Sequence, residues 1–460
     1  MNSTLKSMLI AAAAITSVSA YAQDKATLDL LVKKGVITAE DRAMTLEEGA
    51  TARSASGVGR VFPKEDTTSR LTITGYFQSQ YENFTTTDSA SNSYKSQSNF
   101  LMRRLYLETF ADLGSGISGD VVFDVSGNTA NNCDRAILSL AGSYGSIDFG
   151  YRKVTWGYEE STLSSLFKAS SSKLYTVERG ISNRYWNEQE NGNPAAPASS
   201  DGRRLGFGAH HTGLHYNSVA NTNGLEFGAS VTNAAQATMT NGKGLNDLGL
   251  YANIVWNNKV SDTEKYAIGV NYGKTSYSDF FAAAPVQANA KIEGYNPFVE
   301  AQYGKWNLMA EMMSTTIGQN LDATNSSGQA VARTPKGYDL TLAYDFTENW
   351  QGVFRYTNLD TDHRGQQIGD GERDFVAVPV SASTASNTYN KSDSYYIGVN
   401  YFFSLDAIGG KKVAGTNAKI QLGYEMAKFS DAIANGISDA TKIGVNTKVN
   451  TIRLQAQIAF

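Results

Sequence analysis

From Arg70 onward, apolar and polar side chains alternate along most of this chain. In the last stretch Ile452, Leu454, Ala456, Ile458 and Phe460 are apolar, and the intervening Thr451, Arg453, Gln455 and Gln457 are polar, with Ala459 the exception. A period of two puts successive side chains on opposite faces of an extended strand, one greasy and one wet. The first such run sets Leu71, Ile73, Gly75 and Phe77 against Thr72, Thr74, Tyr76 and Gln78. Phe100–Ala111 sets Leu105 and Leu107 against Arg104, Tyr106 and Glu108, and the next runs set Val121 and Phe123 against Asp120 and Asp124, then Ile147, Phe149 and Tyr151 against Asp148, Gly150 and Arg152. A run through Ala136, Leu138 and Leu140, and segments centred on Phe207, Phe227, Leu250, Ala267, Val299, Leu308, Leu340, Phe354, Val399 and Leu422, bring the total to about 16 strands, an even number.

The connections alternate too. Short ones fall near 114–116, 143–145, 218–223, 259–263, 304–305 and 347–349, with long polar ones near 82–98, 153–202, 235–246, 275–293, 316–334, 361–391 and 430–446; the short link at 128–132 and the long one at 404–416 break the pattern. Turns on one rim and loops on the other are the signature of a transmembrane antiparallel β-barrel, an all-β fold whose alternate residues face lipid. Aromatics near strand ends (Tyr81, Phe110, Trp256, Tyr303, Trp306, Trp350, Phe403 and Phe460) suit interfacial girdles. A strand closing on Phe460 looks like the last strand of a bacterial outer-membrane barrel, and by that analogy Phe460 is expected to be read by the barrel-assembly machinery.

Before Arg70 the pattern differs. Lys6, the apolar run Met8–Val18 and Ala20-Tyr21-Ala22 have the layout of a secretory leader, so residues 1–22 are expected to be removed between Ala22 and Gln23 on export. Residues 23–49 read as a short helical periplasmic segment, with an apolar stripe at Leu28, Leu31 and Val32 and a capping-box-like Thr38 and Asp41; residues 50–69 read as a linker, and 70–460 as the barrel. The 460-residue chain has a net charge of −4, which gives no hint of nucleic acid. Cys133 is the only cysteine, so no internal disulfide forms, and with only four histidines a Cys/His metal cluster and a bound cofactor are not expected.

If the apolar set faces lipid, the complementary set faces a lumen. It contains Arg104, Arg135, Arg152, Arg204, Arg355, Lys419 and Arg453, and the acids Glu108, Asp120, Asp124, Asp148, Glu300, Glu311, Asp339 and Glu425. Guanidinium groups in a water-filled bore favour anions, whereas a mixed wall suits a general pore. A sixteen-strand bore is wide enough to need narrowing before it can select. The long stretch 153–202 carries Lys153, Lys168 and Arg179 among its charges, and Leu163, Leu166, Phe167, Leu174 and Tyr175 with which to pack if it folds inward.

Phe149-Gly-Tyr-Arg-Lys-Val-Thr-Trp-Gly-Tyr-Glu-Glu160 followed by Val177-Glu-Arg179 resembles the phosphate-selective porin O and P family, in which a strand runs into a Gly-x-Phe-Lys-x-Pro-Phe-like segment, then Glu-Glu, then Glu-Arg. Val154-Thr155-Trp156 departs from the family's proline and phenylalanine. Phe100–Leu107, with Arg103-Arg104, resembles the family's arginine-bearing second strand, and Leu30–Thr38 its periplasmic segment. The resemblance implies a sixteen-stranded, homotrimeric porin of the Gram-negative outer membrane, passing small anionic or hydrophilic solutes such as phosphate by passive diffusion. Three rivals remain open. A barrel enzyme would need His210, His211, His215 or His363 to converge with a nucleophile; a sugar-selective porin would use Tyr76, Tyr106, Tyr251, Tyr396 and Phe402 as an aromatic slide; a structural surface protein would use its loops.

Overall fold

The computed structural model describes Lys33 and residues 70–88, 96–126, 133–164, 174–187, 204–221, 223–233, 248–277, 290–324, 330–368, 388–402, 418–432 and 446–459. The expected leader, helical segment and linker, apart from Lys33, lie outside these residues, as do Lys168, Phe403 and Phe460. Sixteen long strands alternate up and down: β1 (Arg70–Asp88), β2 (Gln97–Gly114), β3 (Ile117–Asp124), β4 (Cys133–Gly142), β5 (Gly145–Lys153), β6 (His210–Ser218), β7 (Leu225–Thr232), β8 (Gly249–Ser261), β9 (Glu264–Tyr277), β10 (Ala290–Tyr303), β11 (Trp306–Thr324), β12 (Lys336–Asp345), β13 (Trp350–Asp360), β14 (Thr388–Phe402), β15 (Ala418–Ala432) and β16 (Thr447–Ala459). Each pairs antiparallel with the next, and β16 returns to β1 in register from Tyr76↔Ala459 to Asp88↔Thr447, so the sheet is a closed barrel. Two short pieces, Ala330–Arg333 and Gln366–Gln367, extend the pairing on β11 and β14 at the loop rim.

The alternation read from sequence is the alternation of exposure. On β16, Ile452, Leu454 and Ile458 are 44, 43 and 38% exposed on the outside, while Thr451, Arg453, Gln455 and Gln457 between them are at most 2% exposed. The β16–β1 pairing closes the sheet, so its ladder hydrogen bonds run round the barrel and the outer surface can lie in hydrocarbon. Trp306 stacks near Tyr344 (ring centroids 4.6 Å apart) and Trp350 near Tyr401 (4.7 Å), and with exposed Tyr303 and Trp256 they form an outward aromatic band at the turn rim. The two-residue turn between β2 and β3 holds Gly114, Ser115 and Gly116 at φ values of 83°, 53° and 78°. A β-carbon on Gly116 would sit 2.3 Å from the Ala141 carbonyl oxygen, so glycine is required there.

One expectation is corrected. The segment centred on Phe207 is not the sixth strand, which runs from His210 to Ser218, and Arg204 is therefore a loop residue rather than a wall residue. The apolar alternation of Leu205, Phe207 and Ala209 has another origin. The amides of Leu205 and Phe207 donate to the carbonyls of Tyr185 and Trp186 in a short helix, α1 (Ile181–Asn187), inside the barrel. The structure also adds a detail in β2. Its register with β1 steps from Gln78↔Arg104 to Ser79↔Met102, so Arg103 is an inserted residue, a β-bulge. Arg103 and Arg104, adjacent in sequence, are thereby both turned away from lipid, at 5 and 4% exposure.

The loop from β5 to β6 enters the lumen. Its described parts comprise a π-helical turn at Glu159–Ser164, the extended residues 174–180, α1 and the return through 204–209. Trp156, Ile181, Tyr185, Trp186, Leu205 and Phe207 pack with inward apolar residues of the wall, among them Phe84, Ile292, Met313, Ile317 and Leu359. A second patch joins Tyr158, Leu163 and Leu174 to Phe298 and Met309. The barrel thus has an apolar core within its bore as well as an apolar surface outside.

Candidate functional site

The inner wall is the candidate site, and the loop that crosses it divides it into two unlike parts. Where the loop docks, on β10 to β13, it is met mainly by carboxylates and amides. Glu311 on β11 accepts from the backbone N–H groups of Tyr158 (2.7 Å) and Glu159 (3.0 Å), from Asn183 Nδ2 (2.6 Å) and from Asn296 Nδ2 (2.9 Å). Asp339 on β12 accepts from Ser182 Oγ and Asn183 Nδ2, each at 2.7 Å. Gly180 is what lets the loop lie so close, since a β-carbon there would be 2.4 Å from Asp339 Oδ1. Tyr158 and Tyr175 both donate to Glu300 on β10, at 2.5 and 3.1 Å.

From this dock a charged chain runs along the wall. Glu159 meets Arg355 (3.4 Å), Arg355 meets Glu425 (3.1 Å), and Arg453 meets Glu425 (2.7 Å) and Glu82 (3.8 Å). Arg355 also donates to Thr176 Oγ1 (2.8 Å) and the Glu178 carbonyl (2.6 Å), so it positions the loop as well as lining the wall. Glu160 is paired with both Lys153, the last residue of β5, and Arg179 of the loop. Burial alone would raise its pKa, but those two cations hold it at about 2. Glu159 moves the other way: burial outweighs Arg355, and neighbouring Asp339 and Glu311 add to the rise.

The opposite part, β15–β16–β1–β2, straddles the closure of the barrel. Arg104, Gln78, Gln457 and Lys419 are cross-strand partners in one row across four strands. Gln78 Nε2 donates to Gln457 Oε1 (2.6 Å) and Arg104 donates to Gln78 Oε1 (3.0 Å). Lys419 Nζ donates to the carbonyl of Leu174 on the loop (2.9 Å), which places this row on the lumen side. Among the described residues neither Arg104 nor Lys419 forms a carboxylate salt bridge, and the buried hydroxyl of Tyr76, beside Arg104, has no hydrogen-bond partner. Arg103, next in chain, reaches across to Glu178 of the loop (2.5 and 3.0 Å).

Above this row lies a relay of side-chain amides. Gln455 donates to Gln80 (2.7 Å); Gln421 donates to Asn400 (3.0 Å), Asn400 to Gln351 (2.9 Å), and Gln351 to Asp345 (2.7 Å). Donors in such a run polarise one another in the same sense.

The remaining candidates are neutralised nearby. Arg135 bridges Glu108 and Asp120, each at 2.9 Å, and Arg152 is paired with Asp148, four residues back on the same face of β5. The sequence reading placed Arg104, Arg135, Arg152, Arg355, Lys419 and Arg453 on the inner face, and all are there and buried. It missed Arg103, whose orientation depends on the bulge, and the amide relay. Gln78 and Gln80, and Gln455 and Gln457, alternate visibly and were the available signal.

The aromatic residues assigned inward are occupied in packing. Tyr76 lies against Tyr106 (4.9 Å), Tyr251 donates to the Phe207 carbonyl (2.8 Å), and Tyr396 lies under the Arg355 guanidinium (5.5 Å). Of the histidines, His215 Nδ1 bonds Ser230 Oγ (2.9 Å) and His211 Nε2 the Phe207 carbonyl (3.3 Å).

No family model matches the chain and no curated protein matches its sequence. Solved structures match its fold. The anion-selective porin from Comamonas acidovorans aligns at 13% identity and a TM-score of 0.50, covering 85% of this chain and all of that one. The outer-membrane channel DcaP of Acinetobacter baumannii aligns at 12% identity and a TM-score of 0.51, covering 86% of this chain and 99% of that one. The chain therefore has the sixteen-stranded barrel fold of Gram-negative outer-membrane porins.

Proposed function

We propose that this protein is an outer-membrane porin for passive diffusion of small hydrophilic solutes, with a preference for anions such as phosphate. The observation that carries the preference is the row Arg104–Gln78–Gln457–Lys419, in which two cations share one strip of the inner wall with two amides and, among the described residues, neither Arg104 nor Lys419 forms a carboxylate salt bridge. A cationic strip raises the local concentration of anions, and low-dielectric walls strengthen the effect. Trimeric assembly, removal of residues 1–22, the division at 49 and 69, and recognition of Phe460 by the assembly machinery belong to the same reading. So does membership of the phosphate-selective porin O and P family, which rests on the motifs at 149–160 and 177–179. The paired sets Arg135–Glu108–Asp120 and Arg152–Asp148 favour a second reading, a general pore with a balanced wall.

The test is the zero-current potential of the purified protein in planar bilayers under a KCl gradient. The anion reading expects chloride preference that weakens with salt and reverses in the double variant Arg104→Glu, Lys419→Glu. Cation preference in the native protein overturns it, and an unchanged potential in the double variant assigns any selectivity elsewhere.

A further inference from the structure

We propose that Glu159, Glu311 and Asp339 form a binding site for a calcium-sized divalent cation that fastens the inner loop to the wall. The three carboxylates come from three separate elements, the loop, β11 and β12, and each offers an oxygen within 4.8 Å of the others. All three residues are at most 4% exposed. Three like charges at that spacing away from water repel strongly unless a cation or a proton intervenes. Arg355 supplies one positive charge, 3.4 Å from Glu159, and divides it with Glu425.

The hydrogen bonds show where an ion would sit. Glu311 already accepts from four donors, which uses its lone pairs, so it contributes charge more than a vacant coordination position. Asp339 is different. Its Oδ2 accepts from Ser182 and Asn183, but its Oδ1 is buried and makes no hydrogen bond of normal geometry, the Thr357 hydroxyl beside it falling short of one. A carboxylate oxygen left without a full hydrogen bond in so dry a place is otherwise destabilising. Glu159 holds open positions as well: Oε2 accepts only from Gly180 N–H (2.8 Å), and Oε1 has only the long contact to Arg355. The cross-strand neighbour of Asp339 is Thr357, whose hydroxyl supplies a further oxygen on the same face.

The donor set is all oxygen, which suits a hard cation and not zinc or copper. Calcium–oxygen distances of about 2.3–2.6 Å let one ion span ligands as much as about 5 Å apart, whereas magnesium spans only about 4.2 Å and keeps its waters. Calcium is therefore the better fit to carboxylates spread over as much as 4.8 Å. An ion bridging Glu159 to Asp339 would cross-link the loop to the barrel at the place where the loop turns into the bore.

The experiment uses full-length mature protein refolded in detergent without lipopolysaccharide, which itself binds calcium, and stripped with EDTA. Calcium chloride is titrated calorimetrically at neutral pH. The expected result is one site per chain with a Kd on the order of 10⁻⁴ M, weakened roughly tenfold or more in Asp339→Asn. Because that variant can misfold, the native protein gives an independent readout: millimolar calcium is expected to slow proteolysis of the loop at 154–209, and EDTA to restore it. No calcium uptake by the native chain overturns the proposal and leaves a shared proton to relieve the repulsion. Uptake unchanged in folded Asp339→Asn overturns it equally, by placing the ion elsewhere.

Discussion

The two parts of the inner wall answer the same problem, polar side chains facing a bore, in opposite ways. On β10–β13 the wall presents Glu311, Asp339 and Glu300 together with Phe298, Met309, Met313 and Ile317, and the inner loop covers them with amides, backbone N–H groups and aromatic rings. On β15–β16–β1–β2 it presents Gln421, Gln455, Gln457, Gln78 and Gln80 with Arg104 and Lys419, and the amides bond to one another across the strands. The first surface is an anchor: acceptors waiting for donors from a separate segment. The second bonds its amides to one another, and among the described residues Arg104 and Lys419 form no carboxylate salt bridge, whereas Arg453 on the same strands pairs with Glu425 and Glu82. Side-chain charge alone does not tell a pore-lining strip from a docking strip; what each group is already bonded to does.

The largest effect should come from breaking the anchor. Glu311→Ala leaves the backbone N–H groups of Tyr158 and Glu159 without their acceptor and takes one of two acceptors from Asn183 and from Asn296, and is expected to destabilise the docked loop by about 1–3 kcal/mol for each orphaned N–H. Single-channel conductance should rise and fluctuate as the loop leaves the bore; a native conductance trace would show that the loop is held mainly by its apolar core.

Next in size is a contrast of charges. Removing a neutralised pair, Arg152→Gln with Asp148→Asn, is expected to move the zero-current potential little. Arg104→Gln alone should move it visibly towards cations, because no carboxylate loses its partner there. Equal shifts from the two variants would erase the distinction between cations with and without a carboxylate salt bridge.

Acid should act on the loop with two signs. Glu160 has a folded pKa of about 2, below its ordinary value, so its contribution is complete above about pH 4.5 and is lost as pH falls from there towards 2. Glu159 is raised, so its protonation, as pH falls below neutrality, favours the docked loop before that loss begins. Loop proteolysis followed against pH should therefore pass through a minimum on the acid side of neutrality; a steady rise from pH 7 downward would contradict the assignment of opposite shifts.

The smallest effect is expected from Tyr76→Phe. The hydroxyl has no partner to lose, so stability should change by less than about 1 kcal/mol. Any change in anion block would place that hydroxyl at the solute path.

Most of the barrel was legible because a lipid-facing wall must alternate, and one misplaced residue would put a charge in hydrocarbon at about 2–4 kcal/mol. That constraint gave the strand number and the inward arginines. It weakened wherever lipid was not the neighbour. Leu205 and Phe207 alternate like a strand while packing on α1, and nothing in a period of two distinguishes a sheet from a loop helix as the partner. Arg103 escaped for a related reason: a bulge changes the phase by one residue, and two adjacent arginines do not reveal which is inserted. The pairing of Glu159 with Arg355, or Glu178 with Arg103, depends on a loop crossing the bore between residues 196 and 75 positions apart, and no local pattern encodes it.

The row Arg104–Gln78–Gln457–Lys419 lies across the closure, where Gln78 and Gln457 touch although 379 residues separate them. It consequently has no existence in a partly made molecule. Fourteen strands can be threaded and paired before the first meets the last, and through that interval the hole is an open-sided sheet with its cations on separate flaps. Contacts of such long range form late. On the anion reading, a barrel arrested before its ends zip would leak without regard to charge, so selectivity would appear at the same instant as completion and would report it.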